Sequence, residues 1–252
     1  MKPAIETAIL QALHEIQTLY PSPTIPSIID TLIAEETHVL DRLSTNFQTY
    51  IKTNSPKSLL TLSNSSTIFI ALKSLFTSPI CPPLTLTILE SRPLFEGVTL
   101  ANQLLPFKRP HVNLQLAVDA AAAYFSSHSD LLILGADHVD PATGDIKNKI
   151  GSLAAAQLAK RTVCVTSTDK LARRQLGEEE EEENDVREVT RAWGHMAGEG
   201  EEWRVRNMYF EWVEGRDVEG YVTEVGVLGK RELAEIYRER ELWQEVWTVL
   251  NV

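Results

Sequence analysis

LLILGADHVDPATGDIKNKIGSLAAAQLAK, residues 131–160, opens on four consecutive apolar residues, Leu131 to Leu134. It then passes straight into Gly135, Ala136 and Asp137. A short apolar run bounded by turn residues reads as a strand covered on both faces, the habit of parallel sheets. The glycine and alanine after it let another part of the backbone come close. Asp137 then stands where a carboxylate is costly unless it is paired or used. Residues 149–159 have helical character, so Asn148 and Lys149 are expected at the start of a helix. A lysine there opposes the helix dipole and is better matched by an anionic ligand. His138 is a candidate acid or base beside Asp137, although alternation along an extended segment sends the two side chains opposite ways.

Outward from this stretch the same pattern recurs. The runs LLTL, LTLTIL, VNLQLAV and TVCVTS alternate with helical segments such as residues 65–76. Strands alternating with helices predict βαβ units, and hence an α/β fold with a mostly parallel sheet covered by helices on both faces. Ahead of the first run, Ile5, Ile9, Leu13 and Ile16 recur at helical spacing. After YPSPTIPS, Ile29, Leu32, Val39, Leu43, Phe47 and Ile51 do the same. The chain therefore divides into a short N-terminal helical region, 1–55, and an α/β domain, 56–252. Six successive glutamates, Glu178 to Glu183, mark an acidic insertion over 177–202, read as a solvated loop or, with a basic partner, a contact arm. Beyond it, WRVRNMYFEW and EGYVTEVGVL read as extended, and residues 230–237 as a last helix.

The 252 residues carry 35 acidic against 24 basic side chains, a net charge of −11. That balance points away from nucleic acid and anionic membrane surfaces, and towards a small polar ligand or a protein partner. Cys81 and Cys164 stand far apart with no metal-ligand spacing and read as free thiols. No metal and no cofactor is expected. The N-terminal residues have glutamate in the first turn and no long apolar run, so neither a signal peptide nor a membrane span is expected. The expected compartment is the cytoplasm.

In open α/β sheets ligands bind beyond the carboxyl ends of the strands. Each apolar run here ends in polar residues: Ser63, Asn64, Ser65, Ser66 and Thr67 after the first, then Glu90, Ser91 and Arg92, then Asp119, Asp137 and Ser167. The SNSST turn offers hydroxyls, an amide and backbone N–H groups to a phosphate, and equally offers ordinary helix capping. Arg92 carries a planar fork suited to phosphate or carboxylate, or to a neighbouring glutamate.

LLTLSNSSTI, ILESRPLFEGVTLANQL, the 131–160 stretch and VRNMYFEWVEGRDVEGYVTEVGVL resemble, in order and spacing, the regulatory alpha, beta and delta subunits of translation initiation factor 2B. They equally resemble the methylthioribose-1-phosphate and ribose-1,5-bisphosphate isomerases of the same superfamily. The resemblance runs from about Ser58 to the C-terminus. It implies a Rossmann-like sheet of the ribose-5-phosphate isomerase and CoA-transferase type, usually dimeric, with a phosphorylated-sugar pocket at the strand ends. In the isomerases the Asp of the GAD motif pairs with a Cys after the first strand. Asp137 matches the first, whereas Ser63 stands at the second, followed by the matching Asn64. An aliphatic hydroxyl is a far weaker acid than a thiol, and the Arg-Gly-Ala phosphate stretch of the isomerases has no counterpart here.

The leading expectation is therefore a protein like the factor 2B regulatory subunits. It would bind a phosphorylated sugar or nucleoside monophosphate without turnover, self-associate as a homodimer, and have a translation factor as a further partner. Phosphate would be held by Ser63, Asn64, Ser65, Ser66, Thr67, Arg92 and Lys149, and sugar hydroxyls by Asp137 and Asn148. The alternatives are an aldose-ketose isomerase of a 1-phosphorylated pentose, with Asp137 as the acid/base group, and a scaffold with a vestigial pocket.

Overall fold

The structure is a computed structural model that describes residues 25–174, 183–196 and 203–250. The helix expected over residues 3–19 and the glutamates 178–182 lie outside these residues. The chain begins with a long helix, α1 (Ile25–Asn54), and then enters the sheet: β1 (Ser58–Leu62), α2 (Ser66–Thr77), β2 (Leu84–Leu89), α3 (Glu96–Leu104), β3 (Val112–Ala117), α4 (Ala122–His128) and β4 (Leu131–Leu134). It continues with β5 (His138–Val139), β6 (Ile146–Lys149), α5 (Ser152–Leu158), β7 (Thr162–Val165), α6 (Val186–Thr190), β8 (Phe210–Val213), β9 (Gly220–Thr223), β10 (Gly226–Leu228) and α7 (Lys230–Leu250).

Seven strands form the main sheet in the order β10-β9-β7-β4-β1-β2-β3. Every neighbouring pair is parallel except β9 with β10. The five apolar runs are thus the five strands β1, β2, β3, β4 and β7, and the expected α/β architecture stands. The order also has a functional consequence. From β1 the chain builds outward through β2 to β3, then returns to lay β4 on the opposite side of β1. The switch in direction opens a crevice at the carboxyl ends of β1 and β4, where open α/β sheets seat their ligands.

Period-two alternation explains the two cores. Leu59, Leu131, Ile133, Val163, Val165 and Val222 face one layer, which α1, α2 and α3 cover through Leu43, Phe47, Ile51, Leu72, Phe76 and Leu100. Their strand neighbours Leu60, Leu62, Leu132, Leu134, Cys164 and Tyr221 face the other, with Ala155 of α5 and Leu233 of α7. Helix α1 is also pinned by polar bonds: Asn46 donates to the Thr223 carbonyl at 2.8 Å, and Arg161 donates to Asn54 at 2.8 Å and to Glu219 at 2.6 Å.

Two sequence expectations need correction. Residues 146–149 are not the opening of a helix. They form β6, the centre of a separate three-stranded antiparallel sheet, β5-β6-β8. Asn148 and Lys149 pair with Glu211 and Phe210, and only after Gly151, at φ +100°, does α5 begin. The physical reason is remote: the strand that holds β6 lies about sixty residues further on, beyond any local pattern. Glu183, expected to be solvated with its five neighbours, is instead ion-paired with Arg206 and lies 3.8 Å from Arg204.

Candidate functional site

The crevice is built from tight contacts. The φ of Ser63 is +67° and that of Ser91 is +61°, so the chain turns sharply as it leaves β1 and β2. The Ser63 N–H donates to the Ser91 hydroxyl at 2.7 Å, which in turn donates to the Leu89 carbonyl at 3.0 Å. Asp119, at the end of β3, accepts from the Ser91 and Arg92 N–H groups at 2.8 and 2.7 Å. Its carboxylate is therefore a latch on the β2 turn. Ser65 caps α2, its hydroxyl accepting from the Ile68 N–H at 3.4 Å. A side-chain carbon at Gly135 would come within 2.8 Å of that hydroxyl, so the glycine after β4 is what lets the two loops meet. On the other flank Gly151 approaches Leu62.

Each expected residue has a definite place. Ser63, Asn64, Ser65 and Thr67 are half-buried and Ser66 exposed, so the SNSST turn performs the capping role and still presents its surface at the crevice. Arg92 extends outward, with 55% of its side chain exposed; its Nε donates to Glu90 at 2.8 Å and its guanidinium lies over the Phe95 ring. Asp137 is half-buried and its N–H donates to the Lys147 carbonyl at 2.9 Å. Asn148 is buried and donates to the Ser152 hydroxyl at 3.1 Å.

Lys149 differs most from expectation. Its side chain is 2% exposed, and its ammonium donates to Glu96 Oε1 at 2.8 Å and sits 3.8 Å from the centre of the Tyr209 ring. The Tyr209 hydroxyl donates to the same Glu96 oxygen at 2.9 Å. Burial, helped by the bond to Glu96, pushes the Tyr209 phenol up to about 12, so it stays protonated and keeps donating. Asp137 and Glu188 act on this phenol in the same direction. Glu96 and Tyr209 were not singled out in the sequence. Both lie inside quoted motifs, but a glutamate in the first turn of a helix reads as ordinary dipole pairing.

His138 is not part of this cluster. Its Nε2 lies 2.6 Å from the Ala172 carbonyl, which only accepts, so this nitrogen carries the proton; the ring meets Trp212 edge-on. Burial holds its pKa below the usual histidine value. The unfolded chain therefore binds a proton that the folded one does not, and the stabilisation present above the unfolded value of about 6.5 is lost as pH falls below it. Denaturant titrations should show stability declining below that pH, by at most about 1.4 kcal/mol per pH unit for this group. His138→Gln should remove that part of the slope; an unchanged slope would count against the buried imidazole as its source.

Neither cysteine reaches the crevice. Cys164 is a core side chain of β7 with 0% exposure, its thiol pushed far up by burial, and Cys81 is buried ahead of β2. Among the described residues no group of three or more His, Cys, Asp or Glu is arranged to hold a metal. Among them, too, no helix is long and apolar enough to cross a membrane.

Proteins of known structure share this fold. Methylthioribose-1-phosphate isomerase of Pyrococcus horikoshii superposes with a TM-score of 0.68 at 23% identity, covering 84% of this chain and 63% of the other. The translation initiation factor eIF-2B of the same organism superposes at 0.64 and 21% identity, covering 81% and 68%. In sequence, methylthioribose-1-phosphate isomerase of Geotalea uraniireducens is 33% identical over an alignment of 148 residues that covers 55% of this chain and 41% of that protein. The chain thus spans less than half the length of that curated relative. The model of the initiation factor 2 subunit family matches residues 21–230. Because that match takes in both the strand-end turns and the β6 cluster, the chain belongs to the initiation factor 2 subunit family.

Proposed function

We propose that the protein binds a phosphorylated sugar or a nucleoside monophosphate at the crevice between β1 and β4 and does not turn it over. Phosphate lies against the Ser63–Thr67 turn within reach of Arg92, and sugar hydroxyls face Asp137 and Asn148. The observation that carries the absence of turnover is Ser63. The isomerases that this chain resembles place a thiol there, and both cysteines of this chain are buried away from the crevice. A serine hydroxyl needs an adjacent base to exchange a proton at neutral pH, and His138, next to Asp137 in sequence, is engaged with Ala172.

A second reading, aldose-ketose isomerisation of a 1-phosphorylated pentose, is favoured by a specific observation. The curated relative at 33% identity is named a methylthioribose-1-phosphate isomerase, and in this reading Asp137 is the acid/base group. Phosphorus NMR of the full chain with methylthioribose-1-phosphate and ribose-1,5-bisphosphate separates the two readings. Calorimetry with ribose-5-phosphate and nucleoside monophosphates then measures binding. Heat of binding with an unchanged phosphorus spectrum is expected; conversion that Asp137→Asn removes would instead establish the isomerase. A charge-assisted bond worth about 1.5–3 kcal/mol makes Arg92→Ala weaken binding by roughly 10- to 150-fold. Unaltered affinity in a folded Arg92→Ala protein would take Arg92 out of the phosphate site.

A further inference from the structure

A second opening lies at the other end of the sheet from the crevice. The last turns of α1, the last turn of α2 and the loop before β2 leave between them a cavity of about 130 Å3. Helix α1 leads into β1 and α2 into β2, so the cavity stands at the amino ends of the strands and shares no residue with the turns at their carboxyl ends. Its floor is apolar and shielded: Ile51 is 0% and Leu75 1% exposed. Pro82 and Ile80 complete the lining on the loop side, and Ile80 keeps 57% of its surface in water. An apolar group that enters takes this isoleucine out of water together with the floor. The size bounds that group, because a cavity of about 150 Å3 takes one benzene ring, and this one therefore takes about four to six carbon atoms.

The mouth carries one charge. Lys52 is the single charged residue of the lining and is exposed, and among the described residues no ion pair holds it. Gln48, beside it, has its amide nitrogen committed to the Ser74 hydroxyl at 2.6 Å. Two helices end here, and their free carbonyls would repel an anion. Several of those carbonyls are already met. The Ile51 carbonyl accepts from the Ser55 N–H at 2.8 Å and the Lys52 carbonyl from the Ser55 hydroxyl at 3.0 Å. On α2 the Phe76 and Thr77 carbonyls both accept from the Arg109 guanidinium at 2.9 Å. With the helix ends answered in this way, the Lys52 ammonium sets the sign of the charge that the mouth prefers.

We propose that this cavity is a binding site for a small organic acid, with a compact apolar body of about four to six carbon atoms seated on Ile51 and Leu75 and its carboxylate at Lys52. The apolar body supplies the attraction and the lysine selects the head group. The site is separate from the sugar-phosphate crevice and stands or falls independently of it.

The test is methyl NMR of the full chain, titrated with 4-methylpentanoate and with the alcohol and the amine of the same carbon skeleton. Saturable shifts of the Ile51, Leu75 and Ile80 methyl signals are expected. The acid should bind about fivefold more tightly than the alcohol, the upper range for an exposed ion pair, and the amine more weakly than either. Lys52→Gln should bring the acid down to the affinity of the alcohol and leave the alcohol unchanged. Ile80→Trp should fill the mouth and abolish all three. Both substitutions fall on exposed side chains, and the head-group comparison needs no variant, so it decides even where a substitution disturbs α1. No saturable shift with the acid, or binding that persists in Ile80→Trp, overturns the site. Equal affinities for acid and alcohol, or an acid affinity unmoved by Lys52→Gln, overturn the assignment of an acid as its ligand.

Discussion

Gly97→Ala is expected to destabilise the protein by at least about 3 kcal/mol, the upper end of the usual cost of overpacking, and to abolish ligand binding. Gly97 is buried in the first turn of α3, and its N–H donates to the Glu90 carbonyl at 3.1 Å. A methyl carbon on its Cα would lie 1.8 Å from the Leu89 carbonyl oxygen, far closer than the two atoms can approach. That oxygen cannot swing aside, because Leu89 is locked in β2 between Leu62 of β1 and Ala117 of β3. Helix α3 would have to lift, carrying Glu96 away from Lys149 and Tyr209. Urea denaturation checks the stability and calorimetry the binding. A midpoint shift equivalent to under about 0.5 kcal/mol, the range of an ordinary surface substitution, would show that α3 does not rest on β2 so closely.

Lys149→Met carries the second large effect. The ammonium is nearly inaccessible and paired at 2.8 Å, and breaking a buried pair by removing one partner costs about 3–5 kcal/mol because the other charge is left uncompensated. Methionine preserves most of the stem volume, which isolates the charge from a cavity cost. Adding Glu96→Gln removes the orphaned charge and should recover most of the loss, because a neutral replacement of a whole buried pair is often close to neutral. A double-mutant cycle in urea at neutral pH measures the coupling. Additive losses would mean that the two side chains do not depend on each other.

The two large effects point to one device. The turn after β2, held by Asp119 and backed by Gly97, delivers a carboxylate to a lysine presented by the small β5-β6-β8 sheet. The crevice at the β1–β4 switch is thereby closed on one side by a neutral ion pair and a protonated tyrosine. It stays open towards the SNSST turn and Arg92.

Much of the scaffold was written locally. The runs at 59–62, 84–89, 131–134 and 162–165 are strands because their apolar residues on both faces are buried together in a parallel sheet, and 112–117, where Asn113 and Gln115 alternate with apolar residues, is the exposed edge of that sheet. The polar residues after each run fall at the strand ends for the same reason. The course of α1 over Leu43, Phe47 and Ile51 follows from their spacing alone, and Ser65 caps α2 as a serine before a helical run should. The gap at Gly135 was legible too, since two small residues after a strand invite a close neighbour.

What the tertiary structure decided is how the charged residues pair. IKNK reads locally as the approach to a helix, yet it is a strand because FEWV, more than sixty residues later, supplies its hydrogen-bond partners. Lys149 reads as a free cation for an anion, yet its charge is cancelled by Glu96, 53 residues earlier in the chain. Hydrophobic period and capping act over one or two turns of chain and so leave a local imprint. Ion pairs and sheet pairings join residues far apart in sequence, and only the folded backbone brings their partners within the few ångströms at which they act.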